Sequence, residues 1–169
     1  DCIDFMTSSA TIQRASLIGC EDKGISVGEA TTAAILDAVV RDSGIGMEVK
    51  DRSIVQLLRA DFLSNSIQIK ASRKNWRYTD GGHVQVLNSV FKQQNGENIF
   101  ETDVKSDITI YNSSLTDGAK MSSGVVASKS TDFSDSRLGS SEDYEVPLLP
   151  MMKTIDRHRF TTGRGAFAR

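Results

Sequence analysis

No apolar run in the chain approaches the roughly 18 residues that span a bilayer as a helix, so the sequence reads as soluble or peripheral. Cysteine is nearly absent: Cys2 and Cys20 are the only two. Two cysteines do not make a disulfide framework, and with neither C-x-x-C nor H-x-x-x-H present they match no zinc site. Free thiols are the expectation; a bridge would close a loop of about 19 residues and stabilise by roughly 3 kcal/mol. No motif around either cysteine supports an attached cofactor, and no cofactor is assigned.

Histidine is equally scarce, with His83 and His158 alone. His83 follows the Gly81-Gly82 turn and reads as an exposed turn residue. His158 sits between Arg157 and Arg159, which suits an anionic partner better than base catalysis. No G-x-S-x-G nucleophile elbow is present. Gly44-Ile45-Gly46 is a bare GxG that follows an expected helix rather than a strand, the wrong setting for a dinucleotide loop. Glu101, Asp103 and Asp107 lack the ligand alternation, central glycine and terminal Glu of a calcium loop, and read as a solvated acidic stretch. No catalytic or metal-binding residue is assigned, and a non-enzyme is expected. Charge of one sign is missing too: the formal net charge is −2, too near neutral to name a partner.

What is present is unevenly distributed. Residues 1–111 carry 12 Lys/Arg against 15 Asp/Glu, residues 112–145 carry 3 against 6, and residues 146–169 carry 5 against 1. The chain therefore passes from an acidic stretch into a basic tail, a pattern common in interaction segments. It begins at Asp1 rather than Met, which is read as removal of an earlier segment, by loss of a targeting peptide or cleavage of a precursor.

Periodicity predicts helices in the first third. Thr7–Ile18 could form a short one, closed by Gly19. Ser26-Val27-Gly28-Glu29 has the S-x-x-E form of a capping box. Ala30, Ala34, Ile35, Ala38 and Val39 then recur at helical spacing, and Gly44 supplies the stop. A second helix is predicted over 51–63, with Asp51 as cap and Ile54, Val55, Leu58 and Phe62 as its apolar stripe. The short linker between them suggests an antiparallel helix pair. Ile67, Ile69 and Ala71 alternate with Gln68 and Lys70 as in a half-buried strand. Residues 84–92 fit either a return strand of a hairpin or a helix, and a last strand is expected near 104–111. No internal repeat and no heptad is visible. These elements imply an α+β body over 1–111, a helical pair on a small antiparallel sheet.

Beyond Tyr111 the composition changes. Residues 112–145 hold ten serines and only seven Val, Leu, Ile, Met, Phe, Trp or Tyr. Such a stretch cannot alone offset an ordering entropy of roughly 1–2 kcal/mol per residue. It reads as an extended arm ordered by neighbouring chains. Val146-Pro147-Leu148-Leu149-Pro150-Met151-Met152 is an apolar island whose prolines forbid a regular helix or central strand. Val146, Leu148, Leu149, Met151 and Met152, with Arg157, Arg159, Arg164 and Arg169, form the candidate docking tail for a partner protein. The plainer alternative is a segment folded back on its own domain.

The most specific charged cluster is Lys70, Arg73, Lys74, Trp76 and Arg77, cations interleaved with an aromatic and no acid. It could hold single-stranded nucleic acid or another anion. Its bland counterpart is a solvated strand end with Trp76 in the core. Asn112-Ser113-Ser114 is a glycosylation sequon. The leading expectation is a non-catalytic linker subunit of a larger protein assembly; nucleic-acid binding ranks second and a small enzyme last.

Overall fold

The computed structural model describes residues 1–94, 96–115 and 119–127. Among these residues there is no helix. The chain winds through successive coils, each contributing strands to the sides of one solenoid. The first coil is β1 (Ile3–Met6), β2 (Ser9–Gln13) and β3 (Ser16–Ile18). The second is β4 (Lys23–Gly28), β5 (Thr32–Leu36) and β6 (Val39–Arg41), and the third is β7 (Ile45–Lys50), β8 (Ile54–Leu58) and β9 (Asp61–Leu63). The fourth is β10 (Ile67–Ser72), β11 (His83–Leu87) and β12 (Val90–Lys92). The fifth is β13 (Asn98–Thr102), β14 (Asp107–Tyr111) and β15 (Ser114–Leu115), and β16 (Ala119–Met121) and β17 (Val125–Ala127) follow. Sheet A runs β1-β4-β7-β10-β13-β16, sheet B runs β17-β14-β11-β8-β5-β2, and sheet C runs β15-β12-β9-β6-β3. Neighbouring strands pair in parallel, β4 with β7 and β5 with β8 for example.

The interior is a set of stacked apolar columns. Ile3, Ile25, Met47 and Ile69 follow one another in register, each 22 positions after the last, and Phe100 comes next. Val40, Phe62, Phe91 and Leu115 form another column, all fully buried. The Phe62 and Phe91 ring centroids lie 5.5 Å apart, and Phe91 meets Phe100 edge-on at 5.0 Å. Corners are turned by residues in the left-handed region, mostly not glycine. Arg14, Asp37, Arg59, Asn88 and Asn112 all have φ between 42° and 57° at the passage from sheet B to sheet C. Side chains fill in where strands cannot pair. The Thr31 hydroxyl accepts from Ser8 N–H and the Ser53 hydroxyl from Thr31 N–H, both at 3.2 Å. Ser89 and Ser113 repeat the device at the next corner, at 3.1 Å each.

The expected α+β body with a helical pair is therefore overturned: the described chain is an all-β solenoid. All three predicted helices are coils of it, and Thr7–Ile18 holds β2 and β3. In 26–43 the inward residues after Val27 are Ala33, Ile35, Ala38 and Val40. They alternate within β5 and β6, but the corner at Asp37 shifts the phase, and the resulting spacing imitates a helix. Over 51–63, Val55, Leu57, Ala60 and Phe62 do the same across the corner at Arg59. Ser26 is no helix cap but a buried residue of β4. Gly44-Ile45-Gly46 leads into β7 rather than closing a helix. The strand predicted at Ile67–Ala71 is β10, and residues 83–87 are a strand, though joined in parallel rather than as a hairpin. The repeat that the sequence hides is the coil itself. Cys2 and Cys20 are bonded to each other, not free, with Cα atoms 5.8 Å apart across the first coil.

Candidate functional site

Alternation in sheet A points Ile25, Val27, Met47, Val49, Ile69 and Ala71 inward, so Ser26, Glu48 and Lys70 point outward. In register, Asp4, Ser26, Glu48, Lys70 and Glu101 form one outer row across five strands. Glu48 lies at its centre and is only 1% exposed. Its Oε2 is 3.1 Å from Lys74 Nζ and 3.9 Å from both Lys23 Nζ and Lys50 Nζ. Its Oε1 is buried and has no hydrogen-bond partner among the described residues. Lys23 in turn holds Asp1 at 3.1 Å and also pairs with Asp22. That hydrogen bond from Lys23 keeps the Asp22 carboxyl below the usual carboxylate range.

Lys50 reaches the site by lying back along the neighbouring strand, where its ammonium donates to Ser26 Oγ at 3.0 Å. Gly28 leaves room for that path: a Cβ there would stand 2.7 Å from Lys50 Cε. Three ammonium groups thus face three carboxylates, and the balance offsets part of the desolvation cost of burying Glu48.

Lys74 comes from a long connection over 73–82 between β10 and β11. Asp51, itself buried at the A-to-B corner, accepts from the N–H groups of both Lys74 and Asn75 at 2.8 Å. Asp103 holds the same end, accepting from Arg73 N–H at 2.7 Å. Burial raises the Asp103 pKa, but the N–H groups of Arg73 and Lys105 and the Ser106 hydroxyl outweigh it, and the net direction is down. The far end is pinned by Gly82, where a Cβ would come within 2.1 Å of Val49 O, so the backbone can pass only as glycine. His83 follows, held between Asp107 on Nδ1 and Asp80 on Nε2, the latter at 3.2 Å. Burial lowers the His83 pKa, yet the hydrogen bonds and charges of the two carboxylates prevail and raise it. At the tip, Trp76 is 83% exposed with the Arg77 guanidinium 5.7 Å from its ring centroid.

The basic-aromatic cluster is thus divided. Lys70 pairs with Glu101 at 3.1 Å and Lys74 with Glu48. Arg73, Trp76 and Arg77 stay on the connection, with Trp76 outside the core. His83 is a half-buried strand residue rather than a free turn, and Glu101, Asp103 and Asp107 each have a partner of their own. Asn112 is 8% exposed and donates to Asn88 Oδ1 at 2.7 Å, which leaves the sequon asparagine enclosed. His158 and the docking residues Val146, Leu148, Leu149, Met151, Met152, Arg157, Arg159, Arg164 and Arg169 lie outside the described residues.

Sequence reasoning missed Glu48, Lys23, Lys50, Asp1 and Asp22. The signal was available, since positions 4, 26, 48 and 70 are spaced by one coil length. Among the described residues no group of three or more His, Cys, Asp or Glu could hold a metal ion. No described helix is long and apolar enough to cross a membrane. No protein-family model matches the chain, and no curated protein or solved structure matches it.

Proposed function

We propose that the chain is a non-catalytic binding module whose outer face on sheet A takes a hydroxyl-rich, uncharged ligand, most simply a stretch of glycan. The observation that carries this reading is Glu48 Oε1, a buried acceptor without a donor among the described residues, in the midst of three lysines. A buried polar atom left unsatisfied costs about 1–3 kcal/mol, which a ligand donor would recover. The charge balance selects the donor. An anion would suit the lysines but meet Glu48, Asp22 and Asp1. A cation would suit those carboxylates but meet the lysines. A hydroxyl donates to the carboxylate and accepts from an ammonium, so a diol suits both. Trp76, two residues beyond Lys74, offers a flat apolar face to a sugar ring.

The nucleic-acid reading is weaker because Lys70 and Lys74 are already matched by Glu101 and Glu48, and phosphate binding needs unmatched cations. The linker-subunit reading rests on an arm over 112–169, of which Ser114–Leu115, Ala119–Met121 and Val125–Ala127 are strands of the solenoid and 128–169 lie outside the described residues.

The test is calorimetric titration of the protein with neutral oligosaccharides, uronate oligosaccharides and single-stranded oligonucleotides. Saturable binding of a neutral oligosaccharide is expected, weakened about tenfold by Trp76→Ala, the loss that about 1.4 kcal/mol of contact produces. Binding of oligonucleotides alone, or of none of the three, overturns the proposal.

A further inference from the structure

Sheet B turns a different surface outward. With Ala33, Ile35, Val55, Leu57, Val84 and Val86 in the core, the alternate positions face away. Leu36, Leu58, Leu87 and Tyr111 fall in one row across β5, β8, β11 and β14. Leu36 is 0% exposed, Leu58 2% and Leu87 9%, and Ala34 in the next row is 0%. These side chains are excluded from water on the outside of the solenoid. The main contacts of their strands are with neighbours in the same sheet. The 73–82 connection is fastened at the opposite edge, to Asp51 and Glu48.

The described chain ends on this same sheet, since β17 pairs with β14. From Ala127, β8 lies three strands away, about 14 Å at some 4.8 Å per strand. Val146 follows 19 positions later, enough chain to reach about 60 Å. Val146–Met152 is the apolar island of that remainder, and Pro147 and Pro150 bar it from joining the sheet as a paired central strand. It is suited instead to lie on a face through its side chains.

We propose that the leucine row of sheet B is the dock for the Val146–Met152 segment of the same chain. The cover is intramolecular, and it is independent of what binds at Glu48.

Both native cysteines are bonded, so Leu58→Cys introduces the one free thiol in residues 1–169. Its alkylation rate is measured with and without Leu148→Asp and Leu149→Asp, alongside sedimentation velocity. Slow alkylation that becomes at least about tenfold faster with the two aspartates, in a protein monomeric throughout, supports the dock. Fast alkylation in both proteins overturns it, because the face is then open. Slow alkylation in both overturns it, because another part of the chain is then the cover. Protection that appears only as the protein dimerises overturns it in favour of a second copy. Should the aspartates unfold the solenoid by circular dichroism, Leu58→Cys with Leu149→Cys decides. An intrachain disulfide supports the dock, and its absence under oxidising conditions overturns it.

Discussion

Sheet A turns Ser26, Glu48 and Lys70 outward where sheet B turns Ala34, Leu36, Leu58 and Leu87 outward, on backbones paired in the same parallel way. One solenoid thus carries a charged face, over which the 73–82 connection lends Lys74, and a face with a buried leucine row beside the polar Gln56–Gln85 pair. The backbone of a parallel sheet sets only spacing and direction, with rows about 4.8 Å apart. What a face does is decided by the outward half of each strand. Ion pairs of one type also differ in burial along the solenoid. Asp37 and Arg59, at the edge of sheet B, form a bidentate pair at 2.7 and 2.8 Å, with side chains 9% and 3% exposed. Lys70 and Glu101 on sheet A are 33% and 43% exposed.

That contrast gives the largest expected effect. Asp37→Asn removes the carboxylate facing a buried guanidinium and should cost about 3–5 kcal/mol by chemical denaturation. Glu101→Gln, breaking an exposed pair of the same type, should cost under about 1 kcal/mol. Equal losses would mean that the sheet B edge is wetter than described.

Next comes the leucine row. Leu58→Ala should cost about 2–3 kcal/mol if its outward side chain is packed as a core residue is. A loss below about 0.5 kcal/mol would place it on an ordinary surface.

Glu48→Gln should cost about 1–2 kcal/mol, since it weakens the acceptor of Lys74 and removes the charge facing Lys23 and Lys50. A gain in stability would show that the buried carboxylate is held at a cost, with the ligand as the compensation.

The smallest effect is a pH dependence at the start of β11. The folded His83 pKa is raised above its unfolded value near 6.5, so its contribution is present below that pH. It is lost as pH rises through the folded pKa. His83→Gln should flatten the stability profile above pH 6.5 while leaving the Glu48 region untouched. An unchanged profile would assign the dependence to other groups.

Little of the strand content was legible: β10 and, near 104–111, β14 were expected, while 7–18, 26–43 and 51–63 read as helices. Ile67, Ile69 and Ala71 alternate cleanly because β10 runs six residues without a corner. In β5–β6 and β8–β9 the strands are three to five residues long. The corner residues Asp37 and Arg59 between them are neither Gly nor Pro, so no turn signal separates the strands, and the joined pattern imitates a helix. The 22-residue period was hidden because its columns mix residue types, as Ser26, Glu48 and Lys70 do, and because the 73–82 connection stretches the next interval from Lys70 to Glu101 to 31 positions. The same mixture concealed the site. Lys74 was noticed for its neighbours in sequence, while the partner that explains it, Glu48, lies 26 positions earlier.

Trp76 is the only tryptophan in the chain, so its fluorescence reports on the 73–82 connection, whose Lys74 meets Glu48. Titration with a neutral oligosaccharide should give a saturable blue shift in the native protein and a markedly weaker response in Glu48→Gln. No spectral change across neutral oligosaccharides, or a change of equal affinity in Glu48→Gln, would contradict the assignment of sheet A as the ligand face.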